Sequence, residues 1–290
     1  MKILYISLGQ PDYQCDCIMH GLYQLFGPDL THTDDYHLMY KEHTNPEILK
    51  NISGRGFTIW GNLPKYINDN SDIEQKIKNK LFDFIIYGSI RRHAKYLDLV
   101  LENYPKNKIA LIDGEDDTLL IDTKGISLFK RELITKTQNI HPISFSIPFE
   151  KIVKNTHDIF KTKKIANYIP ASPGTGYIYN NENEYYNDYR TSFFARTHKK
   201  GGWDCMRHYE ILANYCLPHF PDLNYCPDNT MVNFPKTMIY KANNLYDKDQ
   251  HESDEYIELL KTVFDYTKTN LTTKQSALYV INTMLRLNNM

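Results

Sequence analysis

The chain has 290 residues, 41% of them hydrophobic and 24% charged, with a formal net charge of -1. That balance belongs to a folded globular protein and excludes a disordered one. It also excludes a global basic field, so nucleic acid is not an expected partner.

The apolar stretch Ile3 to Leu8 is too short for a signal-peptide core, and Gly9, Gln10 and Pro11 end it. It reads as a first buried strand. From Cys17 to Phe26, apolar residues at Ile18, Leu22, Leu25 and Phe26 predict a short helix stopped by Gly27-Pro28. The charged stretch Asp72 to Lys80 predicts a helix leading into a second strand, Phe82 to Tyr87, which stops at Gly88-Ser89. A third strand, Lys108 to Ile112, stops at Asp113-Gly114. Strands alternating with helices and ending in glycine-bearing loops predict a parallel α/β sheet.

His141-Pro142, Ile147-Pro148 and Tyr168-Ile169-Pro170 then break the rhythm, and Ser172 to Gly176 reads as a loop. The junction is expected near 150–165. It leaves an acceptor unit over 1–160 and a nucleotide-sugar unit over 161–290, with the last helix able to pack back on the first unit. In the second unit the pattern predicts a strand at Lys164 to Ile169, a helix at Glu182 to Arg190 and a strand at Ser192 to Arg196. A helix at Asp204 to Tyr215, an apolar run at Leu217 to Phe220 and two final helices follow, Ser253 capping the first of these and Thr272 with Gln275 the second. The expected fold is α/β, two Rossmann-like halves facing a cleft. Ligands in such sheets gather beyond the carboxyl ends of the strands. Cys15, Cys17, Cys205, Cys216 and Cys226 contain no C-x-x-C pair and read as buried thiols, and no stretch approaches a membrane span. A soluble, cytoplasmic protein is expected.

The most informative stretch is S-F-F-A-R-T-H-K-K-G-G-W-D-C-M-R-H-Y-E-I-L, residues 192–212. A buried strand delivers Arg196, His198, Lys199 and Lys200 into a loop, where Gly201 and Gly202 allow close backbone approach. The helix behind them turns its unpaired N–H groups toward the same loop. Cations facing a helix N-terminus suit a diphosphate. Arg207 adds charge, and Glu210, on the same helix face, can accept bonds from ribose hydroxyls. The competing reading is an Arg207–Glu210 ion pair with solvated lysines. Cys205, Tyr209, Leu212 and Cys216 mark the apolar stripe of this helix.

The string Y-x-x-Y-R-x-S-x-F-A-R-T … G-G-W-D-C-x-R-H-Y-E-I-L … P-x-F-P-D-L … C-P … F-P-K, over about residues 185–240, resembles the nucleotide-sugar half of GT-B glycosyltransferases. It looks closest to exostosin-like and related viral or bacterial enzymes with a G-W-D-x-x-R-x-x-E core. The resemblance implies transfer of a sugar from a UDP or GDP donor to a glycan hydroxyl, with no metal or other cofactor. It implies Arg196 and Lys200 at the phosphates, Gly201, Gly202 and Trp203 in the turn and Glu210 on ribose, with Thr197 and Arg207 also counted among the donor-binding residues. A loop near Thr230 would lie by the donor; Asp228 or Asn229 would cap a helix there.

A general base is expected in the first half. One loop offers Asp16, with His20 a turn on; the other is Asp113-Gly114-Glu115-Asp116-Asp117. From Asp16, Asp113 and Glu115 the base would come, and four clustered acids should raise one another's pKa. The same cluster suggests an alternative, a metal-dependent GT-A-type transferase using Asp113, Glu115 and Asp116. A non-catalytic nucleotide- or glycan-binding protein is a further alternative. Arg91-Arg92-His93 offers a second anion site.

Overall fold

A computed structural model describes residues 1–33, 37–166 and 178–288. The expected loop at 172–176 and the end of the expected 164–169 strand lie outside them. The larger sheet contains β1 (Ile3–Ile6), β2 (Leu30–His32), β3 (Phe84–Tyr87), β4 (Ile109–Asp113), β5 (Ser127–Lys130) and β6 (Ile140–Pro142). Its order is β2-β1-β3-β4-β5-β6 and every pairing is parallel. The smaller sheet joins β7 (Lys163–Ile165), β8 (Ser192–Arg196) and β9 (Leu217–His219), also in parallel.

Both faces of the large sheet are covered, which is why its strands read as continuous apolar runs. Ile3, Tyr5, Ile86, Ala110, Ile112 and Phe129 face α1 (Tyr13–Phe26) and the last helix. Leu4, Ile6, Ile85, Tyr87 and Leu111 face Ile73, Ile77 and Val100 on the far side. The short helices here are α2 (Pro46–Lys50), α3 (Ile73–Lys78) and α4 (Leu97–Asn103). Helix α1 starts earlier than its apolar spacing predicts, because the Asp12 carboxylate accepts from the N–H groups of Gln14 and Cys15.

The second half supplies α5 (Glu182–Arg190), α6 (Met206–Ala213), α7 (Lys236–Asp247), α8 (Asp254–Asn270) and α9 (Thr273–Asn288). Ser253 caps α8 through the Tyr256 N–H, and Thr272 Oγ1 accepts from the Gln275 N–H at 3.3 Å. Two expectations are corrected. No helix starts at Asp228 or Asn229; residues 227–234 make successive turns and α7 begins at Lys236, after Pro235. The Cys205–Cys216 stripe also fails. Helix α6 ends at Ala213, so Cys216 lies beyond it and packs with Tyr185 and Ile211, while Tyr209 and Leu212 join the main core.

That main core runs continuously from the large sheet to the small one. Cys17 on α1 donates its thiol hydrogen to the Ser146 carbonyl at 3.1 Å, and its sulfur lies 3.8 Å from that of Met206 on α6. Helix α9 crosses α1 at Gly21. A methyl group there would meet the Thr273 carbonyl carbon at 2.6 Å and the Ala277 methyl at 2.8 Å.

Candidate functional site

Strand β8 buries Phe194 and Ala195 and brings Arg196 to the surface at its carboxyl end. Thr197, buried, is pinned by its N–H bond to the His219 carbonyl at 2.9 Å. From there one chain of hydrogen bonds holds the loop. Arg207 Nε donates to Thr197 Oγ1 at 2.9 Å, the hydroxyl meets His208 Nδ1 at 2.9 Å, and His208 Nε2 meets the Trp203 carbonyl at 2.9 Å. A carbonyl only accepts, so Nε2 carries the hydrogen, Nδ1 accepts from Thr197, and the imidazole is neutral. Burial and the nearby Arg207 push its pKa down to about 4. Burial, and after it Arg207, also lower His198 and Lys200. Lys200 and Arg207 therefore stand close enough for Arg207 to disfavour a second charge, with a His198 ring held toward its neutral form beside them and Arg196 exposed nearer His219.

The turn is built differently from the expectation. Helix α6 starts at Met206, after Cys205, without a side-chain cap. The N–H groups of Trp203 and Asp204 do not face an open anion site; they donate to Glu132 Oε2 and Oε1, both at 3.0 Å. Arg131 donates to the Asp204 carbonyl and pairs with Asp116. Gly202 is the more constrained of the two glycines, since a methyl group there would meet the buried Glu132 Oε1 at 2.6 Å, whereas one at Gly201 would meet the carboxylate of the exposed Asp116. The turn thus docks on the carboxyl ends of β4 and β5. Asp204 is buried; its carboxylate accepts from the Phe145 N–H at 2.7 Å. Burial outweighs Arg131 and that bond, so its pKa rises to about 6.

Glu210 is buried, and its two oxygens accept from the Thr58 hydroxyl and, at 2.7 Å, from Tyr185. Arg207 sends its Nη2 hydrogen to the His198 carbonyl instead, so the bonds of the two residues diverge. Thr58 comes from the first half of the chain with φ at 78°, a strained value for a β-branched residue. It is held there by Glu182, which accepts from its N–H at 2.6 Å, and by Tyr186 at 2.6 Å from its hydroxyl. A ribose hydroxyl would have to take the place of Thr58 on Glu210.

The acid loop is corrected in its electrostatics. Each carboxylate has a cation: Asp113 Lys130 at 3.1 Å, Glu115 Arg92 at 2.5 Å, Asp116 Arg131, and Asp117 Arg91 at 2.6 Å. At Glu115 and Asp117 the expected upward shift is reversed. Arg92 holds Glu115 below its ordinary range, and Arg91 holds Asp117 at about 2. The same pairs occupy Arg91 and Arg92, which were the alternative anion site. Carboxylates engaged in this way do not fit a divalent cation, and among the described residues no acid, His or Cys cluster is placed to hold one.

Asp16 is fully buried and accepts from Trp60 Nε1 at 2.7 Å and the Asp12 N–H at 3.1 Å. Thr230 is also buried, its hydroxyl bonded to the Leu133 carbonyl at 2.9 Å. The chain matches no model of a known protein family and no curated protein sequence. Three participants were missed by sequence reasoning. Arg131 and Glu132 follow the apolar run Ile126 to Phe129, and charges at a strand's carboxyl end were the available signal. Thr58 gave none. Among the described residues no helix is long and apolar enough to cross a membrane.

Proposed function

We propose that this chain is a glycosyltransferase of the GT-B arrangement that moves a sugar from a UDP or GDP donor to a glycan hydroxyl. The observation that carries the reading is the pair Lys200 and Arg207, with His198 beside them and Arg196 exposed at the carboxyl end of β8, next to the loops of a second parallel sheet. A lysine disfavoured by a neighbouring guanidinium, as Lys200 is by Arg207, is stabilised by a bound diphosphate, and the cations counter the charge that develops on it as the glycosidic bond breaks. Thr197 and the turn Gly201-Gly202-Trp203 hold these groups in place. Glu210 is the ribose acceptor in this reading, once Thr58 yields.

Of the three base candidates, Asp16 and Asp113 are buried, and Glu115 is weakened as a base by Arg92. The main contribution is therefore assigned to leaving-group stabilisation rather than to proton removal. Resident metal is not part of this reading.

The test is thermal stabilisation by UDP, GDP, ADP and CMP in the presence of chelator, for wild type and for Arg196→Ala/Lys200→Ala. A ligand at about a hundred times its Kd adds about 2.7 kcal/mol. One diphosphate should stabilise the wild type, lose at least tenfold in affinity in the double variant, and be released from its sugar conjugate on turnover. Equal stabilisation of both proteins, or none of either, would remove the diphosphate assignment. Binding without release from any sugar conjugate would leave a binding protein.

A further inference from the structure

Away from these loops, at the amino end of the large sheet, edge strand β6 and the C-terminal half of α9 border an open groove of about 610 Å³. Lys136, Gln138, His141, Tyr279, Thr283 and Arg286 line it, and no carboxylate does among the described residues. The His141 ring packs on Phe129 with centroids 5.2 Å apart, and Tyr279 meets the same phenyl ring edge-on. His141 is buried, and its Nε2 has no hydrogen-bond partner among the described residues. Among the described residues Arg286 donates to neutral oxygens of its own helix, the Asn282 carbonyl at 3.3 Å and Thr283 Oγ1 at 3.2 Å. Lys136, from the segment before β6, lines the same groove. After burial, Lys136 and Arg286 are the groups that hold His141 below its ordinary pKa.

The last turn of a helix favours a cation, which accounts for Arg286 by itself. It does not account for Lys136 and an unsatisfied imidazole gathered around the same space. Two cations and a histidine with no carboxylate beside them among the described residues suit a dianion. The flanking hydroxyls, the Gln138 amide and the groove's volume suit a polar body attached to it.

We propose that this groove binds a sugar-sized phosphate monoester, with its phosphate between Lys136 and Arg286 and over His141. The site shares no residue with the β8 cluster and does not depend on the transferase reading.

The probes are inorganic phosphate and a hexose phosphate, titrated against chloride at matched ionic strength and followed by the ¹H–¹⁵N signals of the His141 ring. Saturable shifts are expected, with the hexose phosphate binding at least tenfold tighter than inorganic phosphate. Lys136→Gln/Arg286→Gln should weaken both at least tenfold, and Arg196→Ala should leave both unchanged. The dispersion of the other histidine signals reports whether each variant is folded. Absence of a saturable shift, the same midpoint in the groove variant, or equal loss in Arg196→Ala would overturn the site. Equal affinity for the two probes would overturn the ligand class.

Discussion

Asp204 and His208 titrate in opposite senses within the same pH range, and replacing Asp204 by Asn should expose the balance between them. Burial raises the Asp204 carboxyl from 3.8 to about 6. The native state therefore binds more protons than the unfolded chain across that window, and stability falls as pH rises through it. His208 is lowered from 6.5 to about 4, so there the unfolded chain binds more protons and stability rises with pH. Each window spans roughly two pH units at about 1.4 kcal/mol per unit, which gives opposing contributions of about 3 kcal/mol each.

Asn keeps an acceptor for the Phe145 N–H but has no charge to bury. Subtracting wild type from Asp204→Asn cancels every other titrating group, apart from the mutual influence of Asp204 and His208. The variant should therefore gain about 3 kcal/mol relative to wild type between pH 4 and pH 7. Removing the carboxylate also lowers His208 further, because Asp204 supports its protonated form. Urea denaturation at half-unit pH steps, with m-values checked for constancy, reads the difference directly. A flat difference, or one in which the variant loses stability as pH rises, would refute the placement of an ionisable carboxylate in this buried turn.

Glu132→Ala strips the acceptor from the Trp203 and Asp204 N–H groups and leaves Arg131 short of a partner. Breaking a buried charged contact of this kind costs about 3–5 kcal/mol, a fall of roughly 6–10 °C in Tm. Calorimetry should show that fall and hydrogen exchange should speed at both amides; unchanged exchange would contradict the bonding described. Gly202→Ala should cost about 1–3 kcal/mol, because its methyl group displaces Glu132 Oε1 from 2.6 Å. A neutral Gly202→Ala in urea denaturation would mean that the turn does not pack against Glu132.

The strands buried on both faces were the legible part of the fold. β1, β3 and β4 stand out as apolar runs because parallel pairing and helices on either side leave no polar face. β5 and β6 were not legible. One ends in Lys130 and runs straight into Arg131 and Glu132, and the other carries His141-Pro142, residues that composition assigns to loops. Their burial depends on partners such as Asp113, Asp116 and the 203–204 amides, which come from elsewhere in the chain. The cationic stretch after β8 could be read from its own residues. The carboxylates that meet it could not, because sequence spacing suggested four acids repelling one another and was silent about Arg91, Arg92, Lys130 and Arg131 as counter-charges. Helix α1 shows the same limit on a local scale, since the Asp12 cap extends it through the polar Gln14 and Asp16.

The crossing of α1 by α9 sets an order on biogenesis. Helix α1 and the strands it covers leave the ribosome early, yet the surface that Gly21 reserves for Thr273 and Ala277 stays open until nearly all later elements have been made. Until then one apolar face of the large sheet is half covered, a condition in which nascent chains are prone to self-association. The strands can pair as they emerge, but the layer above them closes last, and folding of the first half is completed only by the end of the second.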